Sequence, residues 1–210
     1  IIMFEKIKDD YDAWAQQYDI DVNPTRDLDK IATIESLSKM DFSNVLEIGC
    51  GTGKNTEWLI TKANSLVGLD FSKKMLELAL EKIKSDKVDF INANLNHEWP
   101  VNDHSFDLAT VNLTLEHIEK LDHIFWSLHK KLTGGGKCFV CELHPHKQAT
   151  GSKAQFLKNG VRKELDIYQH SEQDFIQNAQ KAGFALLSKK DWWNNNEDIP
   201  RLISFLFKKI

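Results

Sequence analysis

From Asn44 to Leu143 the chain alternates short apolar runs with longer amphipathic ones. The short runs are NVLEIG, SLVGLD, KVDFINANL, SFDLATVNL and KCFVCEL, and each has the length of a buried strand. Between them lie helix-period segments. GKNTEWLITKAN carries Trp58, Leu59 and Lys62, and FSKKMLELALEKIKSD carries Met75, Leu76, Leu78, Ala79 and Ile83 behind a capping Ser72. EHIEKLDHIFWSLHKKL reads as a helix closed by Gly134, Gly135 and Gly136. Strands alternating with helices predict parallel βαβ units with right-handed crossovers. After Ser171 a further helix (EQDFIQNAQKAGF) precedes two strand-like runs, ALLSKKDWW and RLISFLFKK, joined by the turn-like NNNEDIP. These two predict an antiparallel hairpin at the C-terminus.

The flanks read differently. To about Met40 the pattern is helical, with Tyr11, Trp14, Ala15 and Tyr18 on one face. Asp21-Val22-Asn23-Pro24 interrupts it, and Thr25 or Asp27 is the expected cap of a second helix with Leu28, Ile31, Ala32, Ile34 and Leu37 as its apolar stripe. Segment 144–170 fits neither period, and a loop of that length leaving a strand's C-terminal edge is more often functional than idle.

Composition narrows the class. The 210 residues are 41% hydrophobic and 28% charged, which predicts one soluble domain large enough to need no staples. The net charge of −4 argues against a nucleic-acid partner. No apolar run approaches the ~18–20 residues of a membrane span, and IIMFEKIKDD turns charged too early for a secretory signal. Three cysteines, Cys50, Cys138 and Cys141, make no disulfide framework and suit a reducing cytoplasm.

The chemistry concentrates at Val45-Leu46-Glu47-Ile48-Gly49-Cys50-Gly51-Thr52-Gly53. A buried strand runs into glycines at alternate positions, where a ligand can touch the main chain and a helix N-terminus offers unpaired N–H groups. At the end of the next strand stands Asp70, placed to accept ribose hydroxyls. A P-loop fails, because Ile48 replaces its first glycine and Asn55 its Ser or Thr. A dinucleotide fingerprint fails at Lys54, where its third glycine belongs.

What remains, G-x-G-x-G between two acids, resembles the class I S-adenosylmethionine-dependent methyltransferases. VLEIGCGTG (45–53), VGLDFS (67–72), FDLATVNLTLEHI (106–118) and LHKKLTGGGKCFVCE (128–142) follow that family's order and spacing. The resemblance implies an α/β, Rossmann-like, seven-stranded and mostly parallel sheet with helices on both faces and a C-terminal antiparallel hairpin. It divides 1–210, one methyltransferase domain, into a helical lid (1–40), a cofactor-binding core (41–143), a substrate-binding insertion (144–170) and a terminal helix and hairpin (171–210). It implies that Gly49, Gly51 and Gly53 lie under the cofactor's methionine part, Glu47 orients its amino end, Asp70 takes the ribose and Phe71 flanks the adenine. Asn94 stands where the family often has an adenine-binding Asp, with Leu95 beside it. Asn112 and Leu113 would line the sulfonium side, and Cys50, Met75 and His117 complete the cofactor set. Tyr11 and Tyr18 would touch the carboxylate end from a lid helix.

Methyl transfer is in-line displacement at carbon, so the protein mainly aligns reactants and excludes water. A base is needed only when the acceptor arrives protonated. His117, His144 and His146, near Glu116 and Glu142, are the candidates at the strand edge where ligands bind. Trp14, His144, Phe156, Tyr168 and His170 are the candidate acceptor contacts. No metal site is expected, since the His144-Pro145-His146 spacing matches none. Cys138 and Cys141 should face opposite sides of a strand as core residues, and so should Trp192 and Trp193 on theirs. The reading is an enzyme that binds S-adenosylmethionine, releases S-adenosylhomocysteine and methylates O, N or C of a small molecule. A protein or RNA methyltransferase and a non-catalytic cofactor-binding protein are the alternatives.

Overall fold

A computed structural model of the chain describes residues 2–158, 161–195 and 197–210. The elements are α1 (Ile2–Tyr18), α2 (Pro24–Leu37), β1 (Asn44–Ile48), α3 (Thr56–Lys62), β2 (Ser65–Asp70), α4 (Lys73–Lys82), β3 (Val88–Asn92) and β4 (Phe106–Asn112). A single 3-10 turn (Leu115–His117) leads to α5 (Leu121–Lys131), β5 (Leu132–Leu143), α6 (Pro145–Ala149), β6 (Gln155–Lys158), β7 (Val161–Glu164), α7 (Glu172–Lys181), β8 (Phe184–Trp192) and β9 (Leu202–Lys209).

Seven strands form one sheet in the order β3-β2-β1-β4-β5-β9-β8. The first five are parallel, and β9 runs antiparallel to both β5 and β8. The expected architecture is therefore present, with the terminal hairpin added to its β5 edge. Parallel strands covered on both faces must be apolar throughout. Accordingly Val45, Leu46 and Ile48 of β1 are fully buried. Ile124, Phe125 and Leu128 of α5 and Phe175 and Ala179 of α7 cover one face, and Ala32, Leu37 and Leu59 of α2 and α3 cover the other. Each fully buried large side chain contributes about 1.5–3 kcal/mol. Cys138 and Cys141 join opposite layers as free buried thiols. Trp192 is buried and Trp193 exposed, as strand alternation requires.

Four local expectations change. Residues 21–24 do separate the first two helices, but the cap of α2 is Asn23, accepting from the Arg26 N–H at 3.0 Å, with Pro24 as the first helical residue. Ile31 is exposed while Arg26, Asp29 and Thr33 are buried, so the inward face of α2 is partly polar. The helix expected from Glu116 begins only at Leu121, and Gly134–Gly136 belong to the start of β5 instead of capping α5. Segment 144–170 contains α6 and the small β6–β7 hairpin; Asn159, Gly160 and Asn196 lie outside the described residues. Ser72 does cap α4, accepting from Met75 N–H at 3.1 Å.

The strand order reverses between β1 and β4, with β2 on one side of β1 and β4 on the other. Open α/β sheets bind ligands in the crevice this reversal leaves at the strands' C-terminal ends.

Candidate functional site

The floor of that crevice is the loop after β1. Gly49, Gly51 and Gly53 all adopt positive φ, 68°, 54° and 79°. A side chain is excluded at two of them by packing: a Cβ on Gly49 would sit 2.0 Å from Thr114 Oγ1, and one on Gly53 2.6 Å from Ile83 Cδ1. At Gly51 a Cβ would meet no described atom within 4 Å, because that position faces the crevice. Bare main chain is thus presented to open space there.

Asp70 ends β2 beside this loop. Its Oδ2 accepts from Gly51 N–H at 2.8 Å, and its Oδ1 accepts from Ser72 N–H at 2.8 Å. Burial raises the Asp70 pKa to about 6, against the pull of those backbone hydrogen bonds.

The cavity above holds about 70 Å³. Gly49, Gly51, Asp70, Phe71, Met75, Leu95, Asn112, Leu113 and His117 line it from the sheet side, with Tyr11 and Tyr18 of α1 as its roof. These expected cofactor contacts are brought together. Ile7, Thr114 and Ile118 also line it and were not expected.

Other candidates stand elsewhere. Glu47 turns away from the cavity and accepts from Thr56 Oγ1–H at 2.5 Å; burial lifts its pKa to about 8. Cys50 is buried beneath Gly68, and Gly53 packs on α4. Asn94 closes a local turn, accepting from Asn96 N–H at 2.9 Å. His144 accepts from His146 N–H at 3.1 Å and thereby caps α6, with Nε2 3.6 Å from Asp191; His146 is exposed. Neither lines the cavity. Tyr168 and His170 brace the turn after β4: Tyr168 N–H donates to the Glu116 carbonyl at 2.7 Å, and His170 Nε2 lies 2.7 Å from the Ile118 carbonyl.

His117 is buried and held at both ring nitrogens, with Nε2 2.9 Å from the Tyr11 hydroxyl and Nδ1 3.3 Å from the Asp166 carbonyl. A proton on Nδ1 satisfies both contacts, leaving Nε2 to accept from Tyr11. Burial lowers the His117 pKa to about 4, so the ring is neutral at pH 7.

A second cavity of about 420 Å³ lies on the far side of Tyr11 and Tyr18. It shares those two residues and Leu113 with the first, and Trp14, Glu116 and Phe156 line it. Trp14 and Phe156 stack with centroids 5.4 Å apart. Leu113, at the junction, has φ 49°, a strained conformation for a non-glycine residue.

Sequence reasoning missed the network under the floor. Asn112 Nδ2 donates to Asp29 Oδ1 at 2.7 Å and to Thr33 Oγ1 at 2.9 Å, and Asn55 Nδ2 donates to Asp29 Oδ2 at 2.9 Å. Asn112 Oδ1 is left buried without a hydrogen-bond partner among the described residues. The signal was available, since Arg26, Asp29 and Thr33 recur at helical spacing. Burial raises the carboxyl pKa of Asp29, Glu47, Asp70, Glu116 and Glu142 alike. Among the described residues, no group of His, Cys, Asp and Glu is arranged to hold a metal ion.

Comparison with known proteins follows this geometry. A family model described as "Methyltransferase domain" matches residues 46–140. The chain is 30% identical over 152 residues to a demethylmenaquinone methyltransferase of Bacillus cytotoxicus, covering 67% of this chain and 60% of that protein. It is 28% identical over 141 residues to a methyltransferase of Streptomyces halstedii, covering 63% and 50%. The chain thus spans about half to three fifths of the curated relatives it matches. An S-adenosylmethionine-dependent methyltransferase from Mesorhizobium loti shares the fold with TM-score 0.74 and 19% identity over 87% of this chain and 98% of that one. An N-methyltransferase from Bradyrhizobium japonicum WM9, solved with S-adenosyl-L-homocysteine, does so with TM-score 0.69 and 18% identity over 91% of each.

Proposed function

The chain belongs to the class I S-adenosylmethionine-dependent methyltransferase family, and from that premise we propose that it binds S-adenosylmethionine on the glycine loop and methylates O, N or C of a small-molecule acceptor. The observation that carries the reading is Gly51. Its open Cβ position stands beside Asp70, whose two oxygens are aligned by backbone N–H groups.

The residues fit the cofactor chemically. Asp70 would accept the ribose hydroxyls, Phe71 and Leu95 would flank the adenine, and the unpartnered Asn112 Oδ1 would accept from the amino end. When bound, S-adenosylmethionine supplies a sulfonium-activated methyl group, transferred as the acceptor's lone pair displaces sulfur. The protein's own part is positioning and exclusion of water. Glu142 Oε1 accepts from Thr114 and Leu115 N–H, both at 3.0 Å, and so fixes the turn that carries Leu113 and His117. Neutral His117 holds Tyr11, and Tyr11 closes the roof.

At about 70 Å³ the first cavity is smaller than ordinary ligand pockets of ~300–1,000 Å³. Entry of the cofactor therefore requires α1 to lift; within residues 1–40 the lid role falls to α1, because α2 buries Ala32 and Leu37 against the sheet. Three buried free cysteines accord with a reducing, cytoplasmic setting. Isothermal titration with S-adenosylhomocysteine tests the reading. We expect one site per chain with micromolar affinity; no heat at high micromolar ligand overturns it.

A further inference from the structure

The second cavity contains a group that the glycine-loop site does not use. Glu116 is 7% exposed, and its Oε2 has no hydrogen-bond partner among the described residues. The Gln148 side chain bonds toward the carboxyl, but Oε2 itself stays unpaired, a cost that a ligand donor would relieve. His117 Nε2 is 3.8 Å from Oε1 and is already engaged by Tyr11. The same cavity is lined by aromatic rings, Trp14 stacked on Phe156 with Tyr11 and Tyr18 beside them, and by the polar Asp21, Asn23, Thr25 and Gln155. Among the described residues, the cations in the lining are Lys153, Arg162 and Arg201, and each lies against a glutamate: Lys153 and Arg162 against Glu164, and Arg201 against Glu197.

We propose that the second cavity is the acceptor site, that its ligand is a planar aromatic alcohol or amine, and that Glu116 Oε2 accepts the hydrogen of that hydroxyl or amine. The inference rests on the methyl-transfer reading for what then happens to the acceptor, but the binding claim stands by itself. The cavity, about 420 Å³, accommodates one or two fused rings with substituents. Tyr11, Tyr18 and Leu113 are common to both cavities, so the two adjoin across these side chains. In the transfer the acceptor's oxygen or nitrogen gives its lone pair to the methyl carbon and its proton to Glu116, while sulfur keeps the electrons of the broken C–S bond. Burial raises the Glu116 pKa to about 7, matched to taking a proton near neutrality.

The test uses 2-naphthol and its donor-less counterpart, 2-methoxynaphthalene, followed by the anisotropy of their own emission as the whole chain is titrated in. We expect 2-naphthol to bind at least tenfold more tightly. Glu116→Gln keeps the shape and should remove at least fivefold of that preference. Phe156→Ala should weaken both ligands together. Equal binding of the two naphthalenes by the unaltered chain, or no binding of either, overturns the proposal without recourse to a variant. So does a preference that survives Glu116→Gln. A separate calorimetric titration with S-adenosylhomocysteine keeps the two readings apart. If it binds normally while the naphthalenes show no preference, the acceptor assignment falls alone; if it fails while 2-naphthol is preferred, the cofactor reading falls alone.

Discussion

The floor and the roof of the first cavity are built from different materials. The floor is main chain. Gly49 and Cys50 N–H donate to the Leu69 carbonyl at 2.8 and 3.1 Å, Gly51 N–H donates to Asp70, and the buried stretch 45–48 of β1 lies beneath. The roof is side chain. Tyr11, Trp14 and Tyr18 pack with Ile7, Phe156 and Leu165 in a small cluster of their own. Polar contacts at the rim tie this roof to the floor: Asp12 accepts from Ser72 Oγ–H at 2.6 Å, Asp19 accepts from Thr52 Oγ1–H at 2.7 Å, and Lys82 pairs with Asp19. The two hydroxyls are buried and their bonds to carboxylates are worth about 1.5–3 kcal/mol each, while the partly exposed Lys82–Asp19 pair is worth about 1 kcal/mol or less. A main-chain floor cannot adapt, so it sets what binds. An aromatic roof held by side-chain ties can lift, so it sets when binding happens.

The contrast is broken most severely at Gly51. Gly51→Val adds bulk where the native loop is open, so it should reduce S-adenosylhomocysteine affinity at least a hundredfold by calorimetry. It should cost only the strain of a positive φ, roughly 1–2 kcal/mol, and leave a cooperative melt. Gly49→Ala should do the reverse, collapsing stability through its clash with Thr114. A Gly51→Val protein that binds normally would show that the ligand does not lie on this loop. Asp70→Ala comes next. Removing a charged acceptor should weaken binding by about 1.5–3 kcal/mol, roughly ten- to 150-fold. An unchanged dissociation constant would take Asp70 out of the site.

Glu47 shows the floor's cost in stability. Its folded pKa of about 8 lies above the ordinary carboxylate value of 4.5. The folded state therefore holds a proton that the unfolded chain releases. The corresponding stability is full below pH 4.5 and is lost as pH rises to about 8. Glu47→Gln should flatten this part of the pH profile and raise the melting temperature at pH 8 by several degrees, at about 2–4 °C per kcal/mol. Melting curves at pH 5 and pH 8 would check it, and an unchanged slope would mean that the carboxyl ionises freely in the fold.

The same division explains what could be read from the sequence. Floors leave covalent marks. A loop that needs positive φ and close approach must be glycine, and a parallel strand buried on both faces must be apolar, so β1, the loop and Asp70 are visible residue by residue. The roof leaves only an aromatic period, which fits a core helix as well as a lid. Tyr11 and Tyr18 were thus assigned to the cofactor by likeness alone. His144 and His146 misled because histidine next to a strand end suggests a base, whereas a helix N-terminus follows Leu143 and one ring serves as its cap. Asp29 and Thr33 stayed hidden because an apolar stripe was sought on α2. That helix faces Asn112 and Asn55, and polar partners select polar residues.

The smallest effect tests the roof directly. Tyr11→Phe deletes one hydroxyl and with it the hydrogen bond to His117 Nε2, while the ring continues to pack on Phe71 and Trp14. The expected loss of stability is about 0.5–1.5 kcal/mol, with His117 left unpartnered at that nitrogen. The informative measurement is kinetic. If α1 must lift before the cofactor enters, weakening the closed state raises the open population by the same free energy. Association of S-adenosylhomocysteine, followed by stopped-flow tryptophan fluorescence, should then accelerate about two- to tenfold. If Tyr11 is only a core residue, the melting temperature falls and the association rate stays where it was. That second outcome would make the roof a fixed wall, and the small volume of the first cavity would then count against S-adenosylmethionine as its ligand.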